Sequence, residues 1–527
     1  MSRTEEALRR HARYYCKVLS HANQFYVGGG AGVTEGLKEF DRERFNIQKG
    51  FEWAAAPGAD TGSGAVALCS SYASGGAHLL CLREHPQERL HWFTKALDAA
   101  RRAGDQEAEV SHLENIGVAY GNMGDPRPSI EYHEQQLSLA REIGSRFAEA
   151  NALGHLGASY VALSEHRRAI ELYEQQLAIA REMENLHGQS TALAGLGMAH
   201  METGESQRAV EFFAAAMVIN TVMGDARGEC FLLSCLGTAR SRLGDTALAI
   251  DYFERALAVA AELDDRQKRA HILGNLGKTY LLHGDPHKAI ELFESQLEEA
   301  CDIGDRYEEV EAHSSLGYTY IALGRLRDAA EPLERNLAVA REIGAPAALG
   351  EALAELGFLH LELRETATAI SYFEQSLDIA CRNKEPYAEG RAHGHLGNAF
   401  FASGELEQAI GHHEQHLSIA RRIGDRAGEC SALGNLGNVY ALRGKYRRAI
   451  ELYEQSLAGA REIGDWQGEA DSLFNIALTC DMLGDLPAAV AQIEAALSLY
   501  EQISSPRAEA AHRQLEEWRA AQADGDD

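Results

Sequence analysis

The stretch ILGNLGKTY at 272–280 contains Gly277-Lys278-Thr279, which has the form of the end of a phosphate-binding loop. A complete loop reads GxxxxGK[ST] and lies between a strand and a helix, where its backbone amides hold the phosphates. Position 272, where the first glycine would stand, is isoleucine, and helical periodicity lies on both sides of the stretch. The sequence therefore predicts no nucleotide site here.

Two other short patterns could carry catalysis. Residues 60–63, Asp-Thr-Gly-Ser, match the short signature of aspartic proteases, but that chemistry needs two such carboxylates on a β scaffold, and neither a second copy nor a strand pattern exists in the sequence. His412, His413 and His416 cluster in one predicted helix, but HEQH at 413–416 is one residue shorter than the HExxH of zinc hydrolases. We predict a loop at 60–63 and a packing or solvated role for the histidines. Since no nucleophile stands beside a positioned base, we predict no enzyme, no cofactor and no metal site.

The composition argues against several classes of partner. Fifty basic and 79 acidic residues give a formal charge of −29, which repels phosphate backbones, so no nucleic-acid partner is expected. The nine cysteines form no CxxC pair, and many occupy apolar helical positions, which favours reduced, buried thiols. The N-terminus has no apolar signal core, and no stretch approaches the roughly 18 uninterrupted apolar residues of a membrane span. We expect a soluble, cytoplasmic protein with no membrane partner.

A strictly periodic pattern organises most of the chain. Leu or Ile precedes the same small residue in every copy, and that residue is glycine at 117, 157, 197, 237, 277, 317, 357, 397 and 437 and alanine at 477. Alanine follows at +12 in all copies but the first, and leucine at +20 in all copies but the third. We number the copies repeats 1 to 10, from Gly117 to Ala477. Gly277 is the glycine of repeat 5, so the likeness to a phosphate loop is a by-product of the repeat.

Each repeat reads as two helices. In repeat 9, Asp425 is a good N-cap, and the first helix breaks at Arg443-Gly444. The second helix ends at Ile463-Gly464, because glycine is the usual residue just past a helix end. The small residues Gly437 and Ala449 would let the two helices approach closely. Such a pair cannot bury its apolar face alone, so neighbouring repeats must stack into a solenoid.

This plan divides the chain into five predicted regions. They are an N-terminal helical segment with Gly/Ser-rich loops (1–68), a divergent capping repeat (69–108), ten 40-residue repeats (109–506), a C-terminal capping helix (507–521) and a disordered acidic tail (522–527). Within the first regions, loops are expected at 27–32 (VGGGAG) and within 56–76.

The repeat pattern resembles the tetratricopeptide repeat. L-G-x-x-Y is followed by Ala at +12, Phe or Tyr at +16 and Leu at +20. The usual unit is shorter, at roughly 34 residues. The longer form is similar to the repeats of Pins-type spindle-orientation adaptors, as in EGRAHGHLGNAF at 389–400 and GHHEQHLSIARRIGDRAGE at 411–429. The resemblance implies an all-α fold, a right-handed superhelical α-solenoid of stacked antiparallel helix pairs.

The N-terminal segment carries a second resemblance. RRHARYYCKVLSHAN and LKEFDRERFNIQKGFEWAA (37–55) are similar to the helical linker that precedes the repeats in bacterial STAND-class NTPases and related transcriptional regulators. Glu43, Asn46 and Trp53 fit the linker pattern. Because the sequence has no phosphate loop, the resemblance implies an array like those fused to such switches, without the NTPase module.

In tetratricopeptide families the first helix of each unit lines the concave groove. Groove-facing places include the residue just after the repeat glycine and the one two before it. Asparagines gather at these places toward the C-terminal end, and their amides suit an extended peptide backbone. Arg391, at another groove place, could meet an acidic side chain, and the middle of the groove is more apolar. The candidate peptide-binding residues are Asn275, Lys278, Tyr318, Phe358, Arg391, Asn398, Asn435, Asn438 and Asn475.

The leading functional interpretation is a non-enzymatic scaffold that binds a peptide or protein segment in the concave groove. One alternative is a sensor or regulatory subunit of a bacterial signalling or defence system, which would work with a separate effector ATPase, protease or transcription regulator. Another is a receptor for a short secreted signalling peptide.

Overall fold

The computed structural model describes residues 3–28, 31–56, 64–76, 79–80, 86–503 and 505–525. All regular secondary structure in these ranges is helical, in 25 helices. None of the described helices combines the length and the apolar run that crossing a bilayer requires. The Asp-Thr-Gly-Ser motif at 60–63 lies outside the described residues.

Four helices precede the repeats: α1 (Arg3–Gly28), α2 (Ala31–Ala54), α3 (Ala65–Gly75) and α4 (Pro86–Ala103). The helix pairs of repeats 1 to 5 are α5 (Gln106–Asn122) and α6 (Pro126–Glu142), α7 (Arg146–Ala162) and α8 (His166–Glu182), α9 (Leu186–Glu202) and α10 (Ser206–Met223), α11 (Ala226–Arg242) and α12 (Thr246–Glu262), α13 (Arg266–His283) and α14 (Pro286–Ile303). Those of repeats 6 to 10 are α15 (Arg306–Ala322) and α16 (Leu326–Ile343), α17 (Pro346–Glu362) and α18 (Thr366–Asn383), α19 (Pro386–Ser403) and α20 (Leu406–Ile423), α21 (Arg426–Leu442) and α22 (Tyr446–Ile463), α23 (Trp466–Met482) and α24 (Leu486–Gln502). The last helix is α25 (Ala508–Gly525).

The helices begin and end where the local sequence signals predict. The carboxylate of Asp425 accepts a hydrogen bond from the Gly428 amide at 2.9 Å, which satisfies one orphan donor of α21. Gly464 ends α22 with φ of 71°, a left-handed conformation that glycine adopts without steric strain. Eight of the ten first helices have such a side-chain cap. The first helices of repeats 7 and 8, which begin after Ala345 and Glu385, have none.

The repeat glycine sets the spacing within each pair. A Cβ added at Gly437 would overlap the ring of Tyr453, so only glycine lets α21 and α22 approach this closely. Ala449 on the facing helix is fully buried. Each second helix also packs on the first helix of the following repeat within the two units described below. The predicted solenoid of stacked antiparallel pairs is confirmed.

The chain divides into two compact units, Met1–Asp264 and Asp265–Asp527. In the first unit, the N-terminal helices share a core in which the ring of Phe51 stacks on Trp92 with centroids 3.8 Å apart. The Tyr72 hydroxyl donates to the Ala12 carbonyl at 2.7 Å within that core. These contacts join α2 to α4 and α1 to α3, and the same core includes Leu113 and Ile116 of α5 at the start of the repeats. The second unit, with repeats 5 to 10 and α25, contains all the candidate peptide-binding residues.

Several predicted boundaries fall near the gaps in the described ranges. The loop predicted at 27–32 coincides with the junction of α1 and α2, whose residues 29 and 30 lie outside the described part. Within 56–76, residues 65–75 form α3, and 57–63 are outside the described part. The helix α25 continues to Gly525, past the predicted end of the capping helix at 521. The five-region division otherwise stays a prediction.

Candidate peptide-binding groove

In the second unit, the first helices form a layer of their own. The first helix of each repeat from 5 to 9 contacts the first helix of the next repeat, whereas successive second helices make no comparable contact within the described residues. The first helices are therefore closer together than the second helices. This spacing places the first helices on the inner side of the stack, as the family resemblance implies.

The places just after the repeat glycine and two before it form one surface on these helices. We call them the groove residues; none of them is buried, while the repeat glycine (alanine in repeat 10) and the residue before it are buried in every repeat of the unit. The two places stand at i and i+3 of a helix, so both lie on the same helical face. The groove residues are Asn275, Lys278, Ser315, Tyr318, Glu355, Phe358, His395, Asn398, Asn435, Asn438, Asn475 and Leu478.

The asparagines near the C-terminal end differ in their bonding. The side-chain amides of Asn398, Asn435 and Asn475 are half-buried and make no hydrogen bond with any described residue. The Oδ1 of Asn438 accepts a hydrogen bond from the Tyr453 hydroxyl at 2.7 Å. This bond orients the Asn438 amide and leaves its two N–H donors available to a ligand. The region therefore presents four amides, three of them free at both ends.

The charged candidates already have partners. Arg391 lies 3.6 Å from a carboxylate oxygen of Glu351 on the preceding first helix, and both side chains are largely exposed. Lys278 forms an ion pair with Glu311 on the following first helix. Because exposed ion pairs contribute about 0–1 kcal/mol, a ligand carboxylate could replace Glu351 at Arg391 at little cost.

The candidates in the middle of the groove are aromatic. Tyr318 is 68% exposed, and Phe358 is 36% exposed. The ring of Phe358 packs edge-on against His395, with centroids 4.6 Å apart, and against Phe373 at 5.3 Å. Asn275 does not present a free amide here, because its Nδ2 lies 3.2 Å from His271 Nε2.

Glu355 is a groove residue that the sequence interpretation did not select. Its carboxylate accepts hydrogen bonds from the Ser314 hydroxyl and, at 2.7 Å, from Asn336 Nδ2. Burial raises the pKa of Glu355 despite these two bonds. The repeat register could have identified Glu355 as a groove residue, because it stands two places before Gly357, where other repeats have asparagine.

The histidines of repeat 8 pack between its two helices. His413 and His416 are buried between α19 and α20, and His393 Nδ1 lies 3.0 Å from His412 Nδ1. Burial lowers the pKa of His393, His395 and His413 to about 4 each, so these rings are neutral at pH 7. Across the described part of the chain, no group of three or more His, Cys, Asp or Glu side chains has a metal-binding arrangement.

The phosphate-loop likeness is explained by the helix that contains it. Gly277-Lys278-Thr279 lies inside α13, where a Cβ at Gly277 would overlap the ring of Phe293. The Thr279 hydroxyl donates to the Asn275 carbonyl of its own helix at 2.8 Å. The prediction of a helical repeat at this stretch is confirmed.

Comparison with known proteins gives the same repeat. Two models of the tetratricopeptide repeat match the sequence, one at 229–298, 389–462 and 429–502 and the other at 152–186. No curated protein sequence matches significantly. Similar solved structures include BtubC from P. vanneervenii (20% identity over 42% of this chain and 92% of that chain, TM-score 0.38). They also include the apo form of the quorum sensor NprR from B. thuringiensis (14% identity, 68% of this chain and 99% of that chain, TM-score 0.46). A third is a Rap protein complexed with competence and sporulation factor (13% identity, 72% of this chain and 99% of that chain, TM-score 0.46).

Proposed function

We propose that this chain, which matches models of the tetratricopeptide repeat over part of its length, is a non-enzymatic scaffold that binds an extended peptide or protein segment along the first helices of repeats 8 to 10. The observation that carries this proposal is the set of free side-chain amides of Asn398, Asn435 and Asn475. A half-buried amide without a partner forgoes hydrogen bonds that a ligand could supply. These asparagines are therefore suited to a polar, extended ligand.

The spacing of the asparagines matches the repeating chemistry of a peptide backbone. Asn398 and Asn438 occupy the same place in repeats 8 and 9, and Asn435 and Asn475 occupy the other groove place in repeats 9 and 10. The four amides thus form two rows along successive first helices. One amide can donate to a peptide carbonyl and accept from a peptide N–H, so each row can hold backbone groups irrespective of the peptide's side chains.

Residues beside the asparagine rows would determine which partner binds. Arg391 lies at the edge of the asparagine rows, and among the described residues its one ion pair is the exposed contact with Glu351. An acidic side chain of the bound segment could pair with Arg391 in place of Glu351. Tyr318 and Phe358 extend the surface with aromatic rings for apolar side chains. Lys278 and Asn275, already paired within the protein, contribute at the far end of the unit.

The test is a pull-down from the native host, identified by mass spectrometry, with wild type beside the double variant Asn398→Ala, Asn438→Ala. The matched control is Gln415→Ala, Gln455→Ala, which removes two exposed amides from the second helices of the same repeats. Loss of about three hydrogen bonds of roughly 1 kcal/mol each, since the Asn438 oxygen is already engaged by Tyr453, should weaken binding of the captured segment by on the order of a hundredfold, measured by calorimetry. The control should bind like wild type. A partner that binds wild type and the asparagine variant equally would refute the clamp.

A further inference from the structure

A cavity of about 600 Å³ lies between repeats 7 and 8, beside the proposed peptide site. Its walls come from four helices of the second unit: the first turns of α17, the end of α18, the first turns of α19 and Ile423 at the end of α20. Ala347, Gly350, Ala354, Ile379, Ala380 and Ala392 supply its apolar lining. The volume is within the range of roughly 300–1,000 Å³ usual for ligand sites, which are likewise mostly apolar.

Repeat 7 lacks a set of ion pairs that some other repeats make at the equivalent place. In three of the ten repeats the first helix is tied to the end of its own second helix, as in repeat 9, where Arg426 at the start of α21 pairs with Glu429 and with Glu462 of α22. Arg146 and Arg306 make the same two pairs in repeats 2 and 6. Repeat 7 has Pro346, Leu349 and Arg382 at the three equivalent places, so this tie cannot form.

Two further departures from the repeat occur at the same spot. The first helices of repeats 7 and 8, which border the cavity, are the two that lack a side-chain cap. Gly350 stands where repeats 6 and 9 have Val310 and Cys430. A Cβ added at Gly350 would meet nothing nearer than Ser376 Oγ at 3.8 Å. Glycine here is therefore not required by close packing, and its missing side chain enlarges the cavity.

The charges around the cavity indicate what it can hold. Glu351 and Glu385 face Lys384 and Arg391 around the lining, so the charges cancel. Glu351 and Arg391 also pair with each other. A charged group pushed into the small apolar side chains beneath would be desolvated without a net attraction. An uncharged apolar group would instead gain from leaving water.

The cavity is continuous with the groove. His395, a groove residue, lines the cavity and also contacts Phe358 and Phe373 through its ring. Arg391 belongs to both surfaces as well. A peptide held by the asparagines of repeats 8 and 9 would thus run past the mouth of the cavity.

We propose that this cavity is a specificity pocket for one bulky, uncharged apolar side chain, of the leucine or phenylalanine class, carried by the segment that the groove binds. The proposal rests on the proposed scaffold function and names the side chain that the scaffold selects. In this proposal the asparagine rows bind the backbone of the segment, and the pocket between repeats 7 and 8 binds one of its side chains.

The experiment uses the full chain with ¹³C-labelled alanine methyl groups and three capped amino acids as probes: N-acetyl-leucinamide, N-acetyl-phenylalaninamide and N-acetyl-glutamate amide. The methyl signals of Ala347, Ala354, Ala380 and Ala392 should shift saturably with the first two probes and not with the third. The variant Gly350→Leu fills the space and should abolish the shifts. If Gly350→Leu does not fold, Ala347→Leu, at an exposed position of the lining, fills the space from the other wall. Three results would each overturn the proposed pocket. They are methyl signals that do not shift in wild type, equal shifts with the glutamate probe, and shifts that persist in the filled variants.

The pocket and the scaffold function can fail separately. The probes do not depend on the asparagine rows, so Asn398→Ala, Asn438→Ala should leave the methyl shifts intact. If that variant loses its partner while the pocket methyls stay silent, the scaffold stands and the pocket is wrong. If the tests support both the scaffold and the pocket, Gly350→Leu should weaken binding of the captured segment by about thirtyfold. This is the loss expected when a leucine side chain that was buried in the complex stays in water.

Discussion

Lowering the pH from 7.5 to 5.0 should loosen repeat 8, and the substitution His413→Phe should remove part of that loss. His413 is 1% exposed, and burial, together with the nearby His416 and His412, lowers its pKa to about 4. A histidine in the unfolded chain titrates near 6.5. At any pH between the folded pKa of about 4 and the unfolded pKa near 6.5, the unfolded state binds more protons than the folded state. The free energy of unfolding therefore falls as the pH drops from about 6.5 toward 4.

The size of the effect follows from the two pKa values. At pH 5.0 the unfolded histidine is almost fully protonated and the folded one is mostly neutral, so His413 alone costs about 2 kcal/mol relative to pH 7.5. His393 and His395 on α19 and His412 and His416 on α20 also have lowered pKa values and add to the loss in wild type. Comparison of wild type with the His413 variant isolates the contribution of this one ring.

Phenylalanine fits the place because the repeat already uses it there. The equivalent residues Phe213, Phe253, Phe293 and Phe373 are all at most 1% exposed. The assay is hydrogen exchange of the α20 segment, read by mass spectrometry and corrected for the intrinsic pH dependence of exchange, because repeats open locally rather than all at once. The control His287→Gln changes an exposed histidine in repeat 5 and should leave α20 unaffected. Equal losses of α20 protection in wild type and His413→Phe would refute the reasoning.

Two further predictions concern the helix pairs themselves. Gly437→Ala should destabilise repeat 9 by about 1–3 kcal/mol because its Cβ would overlap the Tyr453 ring. Gly434→Ala on the same helix meets only Ser456 Oγ at 3.8 Å, an ordinary contact, and should stabilise the repeat by about 0.5–1 kcal/mol. Hydrogen exchange of α21 measures both, and the same sign for the two variants would contradict the packing argument. Ala345→Asp should supply the missing cap of α17 and stabilise its first turn by about 1 kcal/mol, as Asp285 does ahead of a proline by accepting from the Lys288 amide at 3.1 Å. Unchanged exchange at the start of α17 would show that the cap does not form.

The helix pairs could be predicted from the sequence because one physical requirement repeats. Each copy needs a small residue where two helices meet, a cap before the first helix and a terminator after the second, and these signals recur in register along the array. The N-terminal region could be predicted only as helical. Its core depends on contacts such as that of Phe51 with Trp92, which lie far apart in the sequence, and no repeated copy reveals that pairing.

The groove surface was also predictable, but its bonding was not. Register alone places Asn398 and Asn438 on the open face of the first helices. Whether each amide is free depends on residues brought near by packing: Tyr453 engages Asn438, and no described residue engages Asn398. The cavity was still less predictable, because it depends on how α17, α18 and α19 pack around Gly350.

Departures from the repeat concentrate in repeats 7 and 8, and this concentration bears on function. A solenoid repeat contacts only its neighbours, so an altered copy lowers stability locally without disrupting the rest of the array. Repeats 7 and 8 contain the two uncapped first helices, and repeat 8 also contains the buried neutral His413; each of these features lowers local stability. Sequences that break their own local rules in one place usually do so at functional sites. The cavity beside Gly350 and the free amide of Asn398 lie in this same pair of repeats, which is why we place the selection of the partner there rather than in the regular repeats on either side.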